Sequence, residues 1–213
     1  MTLPAAVAGV RLPLTPLALD AAVLARASQP TFLYHHCLRT YVFGALLAHS
    51  RAIEFDEEAI FIAACLHDIG LTERYQSEDE PFEVDSAREA KQFLAEHHVL
   101  EPKSELICDA IAFHTSALAS LRAPQVSLVG VGAGADVFGS RLKTLPPAQV
   151  DEVVAAFPRA GFKAEFRRTL IGYCTRKAGA QIGTWTDAFC RAHVPGYKFP
   201  DLEERLMGSP FKD

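Results

Sequence analysis

The sequence lacks a long apolar run and a concentrated basic patch, and each absence excludes a class of protein. No uninterrupted apolar stretch approaches the roughly 20 residues that a membrane-spanning helix needs, so we expect no membrane partner. The 21 Lys and Arg residues are outnumbered by 26 Asp and Glu residues, and no basic run is longer than Arg167-Arg168. Because nucleic-acid-binding domains usually concentrate positive charge, we also expect no nucleic-acid partner.

The sequence also lacks a disulfide pattern. The five cysteines are Cys37, Cys65, Cys108, Cys174 and Cys190. They are scattered, odd in number and free of any Cys-x-x-Cys motif, and each lies in an apolar stretch as a small buried hydrophobic residue would. This usage predicts free thiols in a reducing compartment. No basic region precedes an apolar core at the N-terminus, so we expect no signal peptide and a cytoplasmic location.

What the sequence does contain is an ordinary globular composition, with 49% hydrophobic and 22% charged residues. The length of 213 residues predicts a single domain over residues 1–213, with a core at about 28–180 and a C-terminal tail that packs on it. The oligomeric state is left open. Apolar residues recur with helical spacing almost everywhere, so the predicted fold class is all-α.

Local start and stop signals place the first three helices. Thr15 followed by Pro16 is typical of an N-cap and a first helical position. Thr31 and Asp56 are predicted to cap the second and third helices in the same way. Gly70 follows the third apolar run and suits a helix C-terminus, where a left-handed backbone conformation is needed.

The signals are less direct further along the chain. Residues 71–84 form the most polar connector, and Ser86-x-x-Glu89 after it has the spacing of a capping box that opens a fourth helix. Residues 126–139 alternate Val and Gly as a strand would, but small residues also suit tight helix packing, and we predict a helix there. The last 30 or so residues are rich in proline and predict a loosely structured tail.

The adjacent pair His67-Asp68 is the sharpest local signal for chemistry. It lies at the end of an apolar helix, where the chain leaves regular geometry and both side chains can face one point. A buried carboxylate is costly unless something compensates its charge. A divalent metal does so and accepts imidazole nitrogen and carboxylate oxygen together. The alternative interpretation is a helix cap beside a core histidine.

Two other segments supply further candidate ligands. His36 is predicted on a helix, with Arg39 one turn later on the same face. Asp136 is a lone acid in a small apolar segment, where such a residue is more often paired or liganding than free. Together His36, His67, Asp68 and Asp136 provide two nitrogens and two oxygens. This set suits one divalent metal ion (Zn, Fe, Mn or Ni) with positions left for water and substrate.

The order of these residues resembles the HD-domain superfamily of metal-dependent phosphohydrolases. More narrowly, the chain is similar to the cyanamide hydratase-like branch in the segments HHCLRTYVFG, ACLHDIGLT, PFEVDSA, AIAFHTS and GAGADVFG. The resemblance runs from about residue 30 to residue 140. It implies an all-helical bundle with the metal at its centre and a small-molecule substrate.

Several residues near these motifs are candidates for proton transfer or substrate binding. His114 stands near a helix end and can face the open metal positions, the alternative being a core histidine bonded to backbone. Glu83 can reach the site as an acid or base, the alternative being a solvated loop glutamate. We therefore predict Asp68, His114 and Glu83 as catalytic residues. Arg39 and Thr115 are the predicted substrate-binding residues, although Arg39 also fits a structural partner to an acid. Trp185 is predicted to be a packing residue.

The residues leave four functions open. The first is hydration of a small molecule such as cyanamide or a nitrile, and the second is hydrolysis of a nucleotide or another phosphate ester. Arg39, Arg51 and Arg74 are the only basic residues between positions 30 and 80, which favours a small substrate without charge. The third is a dinuclear phosphodiesterase in which His98 and His114 bind a second metal. The fourth is a non-catalytic helical binding protein.

Overall fold

A computed structural model describes residues 3–177, 184–197 and 202–210, and this part of the chain confirms the all-α fold class. Eleven α-helices, four short 3-10 helices and one antiparallel hairpin, β1 (Ala6–Val7) with β2 (Val10–Arg11), make up the regular structure of these residues. The helices are α1 (Pro16–Ser28), α2 (Thr31–His49), α3 (Glu57–Leu66), α4 (Phe82–Glu96), α5 (Lys103–Ala112), α6 (Ala119–Arg122), α7 (Leu128–Phe138), α8 (Pro147–Ala156), α9 (Phe162–Arg176), α10 (Asp187–His193) and α11 (Leu202–Met207).

Helix α2 runs through the core and packs closely against α7. Most of its 19 residues are buried, as expected for a helix that is apolar on nearly all sides. The helix predicted over residues 126–139 is confirmed, and its glycines allow the close approach. A Cβ atom on Gly132 would lie 1.9 Å from the carbonyl oxygen of Thr40. The two backbones therefore touch, which brings His36 of α2 next to Asp136 of α7.

Two of the three predicted caps are confirmed, whereas Thr31 is the first residue of α2 and Pro30 takes the N-cap position without a side-chain bond. The hydroxyl of Thr15 accepts a hydrogen bond from the Ala18 amide at 3.3 Å, and Asp56 accepts one from the Ala59 amide at 2.9 Å. Helix α3 then ends at Leu66, His67 keeps helical backbone angles as its C-cap, and Asp68 is the first residue to leave them. The His67-Asp68 pair therefore lies at the C-terminal end of a buried helix.

The predicted role of Gly70 is wrong. Gly70 lies inside a short 3-10 turn, Ile69–Leu71, and is not among the residues with positive φ. A Cβ atom at this position would lie 2.4 Å from the carbonyl oxygen of Phe82. Glycine is required here because α4 approaches the turn too closely for any side chain.

The predicted capping box at Ser86 is also wrong. Helix α4 begins at Phe82 after Pro81, so Ser86 lies inside the helix. The Ser86 hydroxyl instead accepts a hydrogen bond from the Gly70 amide at 3.0 Å. Because the helix begins five residues earlier than predicted, Glu83 belongs to its first turn and is buried there, whereas the sequence predicted it in the polar connector.

The prediction of free thiols fails for one pair. Cys174 of α9 and Cys190 of α10 form a disulfide, with their Cα atoms 5.7 Å apart. The pairing follows from the packing of α10 on α9, which no local cysteine spacing reveals. The described parts of the C-terminal tail thus contain helices as well as loops.

None of the described helices combines the length and the apolarity that crossing a membrane requires.

Candidate metal centre

Three predicted ligands converge in the buried core. His36, His67 and Asp68 each present one ligand atom, and these atoms lie within 4.8 Å of one another. The Asp68 Oδ2 atom is 3.5 Å from His36 Nε2 and 3.4 Å from His67 Nε2. Two ligand atoms bound at about 2.1 Å in tetrahedral geometry would lie roughly 3.4 Å apart. The spacing therefore matches that of ligands around a small divalent ion.

The ring of His67 is oriented for metal binding. Its Nδ1 atom lies 2.8 Å from the Ala64 carbonyl oxygen, so Nδ1 carries the proton and Nε2 keeps its lone pair. Burial lowers the pKa of His67 to about 3, which keeps the ring neutral. Among the described residues, its buried Nε2 atom has no hydrogen-bond partner. Such an atom is costly to leave unpaired, and a metal ion at the cluster would satisfy it.

Asp68 is a buried carboxylate whose described ion-pair partners are imidazoles alone. Its oxygens face His36, His67 and His114, and the His114 Nε2 atom lies 3.7 Å from Oδ1. Burial raises the pKa of Asp68, which means that its negative charge is disfavoured as the protein stands. A divalent cation in contact with this oxygen would reverse that balance. The donor set thus fits the group that the sequence predicted.

His114 faces the same point as the other two histidines. Its Nδ1 atom lies 2.7 Å from the Ile111 carbonyl oxygen, so its Nε2 lone pair points toward Asp68. Burial lowers the pKa of His114 to about 4. A neutral ring in this orientation can accept a proton from water at the cluster. His114 therefore lies at the cluster and also makes the backbone hydrogen bond that the alternative interpretation required.

Asp136 occupies a different position from that of a direct ligand. It accepts hydrogen bonds from His36 Nδ1 at 2.7 Å and from Arg39 at 2.7 and 2.9 Å, and Arg159 binds it as well. Although burial raises its pKa, the bonds from His36 and Arg39 outweigh burial and hold it well below its usual range. Asp136 thus lies behind the His36 ring and turns Nε2 toward Asp68, as outer carboxylates do at many metal sites.

The placement of Arg39 does not fit the predicted substrate-binding role. Its side chain is completely buried and donates two bonds to Asp136. Its remaining contacts are with the carbonyl oxygens of Phe157 and Pro158, at 2.9 and 3.0 Å. Arg39 is therefore the structural partner of an acid, which was the other interpretation of its motif.

A cavity of about 250 Å³ opens beside the cluster. His36, His67, Asp68, His114 and Thr115 form its polar side. The rest of its wall is apolar and consists of the aromatic rings of Phe82, Phe138, Phe166 and Trp185 and the small or aliphatic residues Gly130, Ala133, Gly134 and Val137. Within the described part of the chain, no Lys or Arg lines this cavity.

Glu83 reaches the edge of the cavity through two neighbours. Its Oε1 atom accepts hydrogen bonds from the Thr115 hydroxyl at 2.7 Å and from the Trp185 indole at 3.1 Å. Its Oε2 atom is buried and has no hydrogen-bond partner among the described residues. Burial raises the pKa of Glu83. The position of Trp185 could not be predicted, because no local sequence pattern links that residue to a cavity formed by distant helices.

The predicted second metal set is not assembled. His98 is exposed and follows the C-terminal end of α4, whereas Glu83 lies at the other end of this 15-residue helix. At about 1.5 Å per residue, the two ends are roughly 20 Å apart. In the described ranges, the only group of candidate metal ligands is His36, His67 and Asp68.

Comparison with known families agrees with this geometry. The HD domain model matches residues 33–147, more than half of the chain, and this range includes the three clustered ligands. The chain therefore belongs to the HD-domain family, whose members are generally metal-dependent hydrolases. No curated protein sequence matches it.

Proposed function

We propose that this chain is a metal-dependent hydratase for a small uncharged molecule with a polarised carbon, such as cyanamide or a related nitrile. The observation that carries the proposal is the lining of the cavity, which holds aromatic rings and no described Lys or Arg. Phosphoryl groups are usually stabilised by cations, whereas a neutral nitrile needs none. The cavity volume of about 250 Å³ also favours a compact substrate.

In this proposal His36, His67 and Asp68 hold one divalent ion, which is Zn, Fe, Mn or Ni. When bound, such an ion lowers the pKa of water from 15.7 to about 7 and provides a nucleophile at neutral pH. Asp136 and the Ala64 carbonyl oxygen keep the two imidazoles in the orientation that binding requires.

The remaining residues of the site handle protons. His114 Nε2, which faces Asp68 Oδ1 at 3.7 Å, is placed to accept the proton of the attacking water. Burial raises the pKa of Glu83, and the Thr115 hydroxyl donates a hydrogen bond to Glu83 Oε1 at 2.7 Å. When Glu83 is protonated this bond reverses, so that Thr115 accepts the Glu83 proton and gives its own hydroxyl proton to the substrate nitrogen. The proton that His114 has taken up returns to Glu83 through solvent and closes the cycle. Addition of one water to cyanamide in this way yields urea, with no other product.

Product analysis with a matched pair of histidine variants tests the proposal. We expect purified protein to hold one divalent ion per chain and to convert cyanamide to urea while leaving nucleoside monophosphates and p-nitrophenyl phosphate intact. His67→Ala is expected to lose both the ion and the activity. His98→Asn is the control, because His98 is exposed, lies far from the site and has a φ of 56° that Asn tolerates. Phosphate release with inert cyanamide, or two ions per chain, would contradict the proposal.

A second candidate function is phosphate-ester hydrolysis, favoured by one observation. A wider cavity shares His114 and Thr115 with the first, and Arg51 and Arg141 lie on its wall. These guanidinium groups could hold a phosphate whose ester bond reaches the cluster. In that case the double variant Arg51→Ala, Arg141→Ala would lower activity on phosphate esters, whereas cyanamide hydration would not depend on it.

A further inference from the structure

Trp185 makes two kinds of contact at the site, one with its ring and one with its indole N–H. Its ring lines the cavity beside the metal cluster and meets Phe82 edge to face, with ring centroids 6.4 Å apart. Its indole Nε1 donates a hydrogen bond to Glu83 Oε1 at 3.1 Å. The side chain is 38% exposed, so it lies at the mouth of the cavity.

The hydrogen bond decides how the Glu83 carboxyl group is held. Oε1 receives both donors, from Trp185 and from Thr115, while Oε2 has no partner in the described structure. Each donor on Oε1 restricts rotation of the carboxyl group about its terminal bond, so the group is held less firmly when one of the two donors is removed. Removing the indole N–H would therefore change the orientation of Glu83 without touching Glu83 itself.

The backbone around Trp185 is well anchored. Thr186 is buried and its carbonyl oxygen accepts a bond from the Cys190 amide at 2.9 Å. Cys190 in turn is bonded to Cys174 of α9, the helix that also carries the cavity residue Phe166. Phe166 lies on α9 and the segment that carries Trp185 is linked to α9 by the disulfide. Trp185 is therefore held in place and limits the volume of the cavity.

We propose that Trp185 is both a specificity-determining residue and a positioning residue: its ring limits the size of the substrate, and its N–H orients Glu83. The inference rests on the proposed function in two respects, namely that the cavity is the substrate site and that Glu83 supplies a proton. The residue that limits the size of the substrate then lies in the C-terminal segment, outside the range of residues 33–147 that matches the HD domain model.

Two substitutions separate the two roles. Trp185→Phe retains an aromatic ring but removes the N–H, so we expect kcat for cyanamide to fall about tenfold with a shifted pH profile and an unchanged preference among nitriles. Trp185→Ala opens the wall, so we expect the ratio of kcat/KM for benzonitrile to that for cyanamide to rise at least about tenfold. Wild-type kcat and pH profile in Trp185→Phe would overturn the positioning role, and an unchanged ratio in Trp185→Ala would overturn the specificity role.

A spectroscopic readout tests the contact independently of any substrate. Trp185 is the only tryptophan in the chain, so its fluorescence reports on this site alone. We expect the emission of metal-free protein to titrate with Glu83, to lose that titration in Glu83→Gln and to keep it in Glu96→Gln, an exposed control on the same helix. His36, His67, Asp68 and His114 are the other ionisable groups that line the cavity, so the Glu83 contribution is the difference between the curves of wild type and Glu83→Gln, and identical curves would overturn the contact. If no nitrile is hydrated the proposed function fails, yet this titration still decides whether Trp185 and Glu83 are coupled.

Discussion

Two buried aspartates lie on opposite sides of the His36 ring, and their surroundings differ sharply. Asp136 meets Nδ1 at 2.7 Å and is also bound by Arg39 and Arg159, whereas Asp68 meets Nε2 at 3.5 Å and contacts only imidazoles among the described residues. The pKa of Asp136 is lowered by its hydrogen bonds despite burial, and the pKa of Asp68 is raised by burial.

The difference distinguishes a completed ion-pair network from an incomplete one. Asp136 has all the positive charge it needs from the protein, so its charge stabilises the fold. Asp68 has no Lys or Arg partner among the described residues, so its negative charge destabilises the metal-free folded protein and would be compensated by a bound cation. Asp136 thus contributes to the stability of the fold, whereas Asp68 keeps a charge that a cation can neutralise. The two aspartates are separated by about the width of one imidazole ring.

The largest expected effect is on activity at Asp68. We expect Asp68→Asn to reduce kcat/KM at least about 1,000-fold, equivalent to about 4 kcal/mol, because the site loses its only charged ligand. In metal-free protein the same change should leave the free energy of unfolding equal or higher, since the charge it removes is disfavoured. Product assays and guanidinium denaturation with a chelator measure the two quantities. A variant that retains activity, or unfolds much more easily, would break the comparison.

The corresponding change at Asp136 should act on stability. We expect Asp136→Asn to lower the free energy of unfolding of metal-free protein by about 3 kcal/mol, because buried Arg39 loses its counter-charge while the amide oxygen still accepts one bond. Guanidinium denaturation measures the loss. Asp20→Asn, at an exposed aspartate, is the control and should stay within about 0.5 kcal/mol of wild type. Equal losses in the two variants would mean that the network contributes nothing.

The pH dependence of stability sharpens the comparison further. The pKa values of His67 and His114 fall to about 3 and about 4 on folding, so between these values and 6.5 the unfolded chain binds more protons. Stability of metal-free protein should therefore fall as pH drops below 6.5, by up to about 1.4 kcal/mol per pH unit for each histidine.

Asp68 acts in the opposite direction, because a raised folded pKa makes acidification favour the folded state. We expect Asp68→Asn to steepen the acid loss and His114→Gln to reduce it. Denaturation curves collected between pH 4 and 7 with a chelator check both slopes. Parallel curves for wild type and His114→Gln would show that His114 titrates normally.

The smallest effect is expected at the rim of the Asp136 network. Arg159 is partly exposed, and Arg39 alone contacts both carboxylate oxygens of Asp136. We expect Arg159→Ala to lower the free energy of unfolding by about 1 kcal/mol, because its two bonds to Asp136 come from a side chain that is partly screened by solvent. The same denaturation assay applies. A loss as large as that of Asp136→Asn would mean that Arg159, and not Arg39, makes the main contribution of this network to stability.

How much could be predicted depended on how far apart the interacting residues lie in the chain. The caps at Thr15 and Asp56 were predictable, because each bond closes over three residues. The capping box at Ser86 obeyed the same local rule and was wrong, since contacts from Gly70 and the early start of α4 override it. The catalytic roles of His114 and Glu83 stay predictions, although the structure places both near the cluster.

The sequence by itself determined the all-α class, the HD-domain family and the identity of the His67-Asp68 pair, because periodicity and adjacent residues are local properties. Only the tertiary structure decided that Asp136 supports His36 from behind, that Cys174 pairs with Cys190 and that Trp185 walls the cavity. These contacts join residues from separate helices, and their distances depend on how whole helices pack. In the α2–α7 contact, for example, Gly132 allows the approach that sets where Asp136 lies.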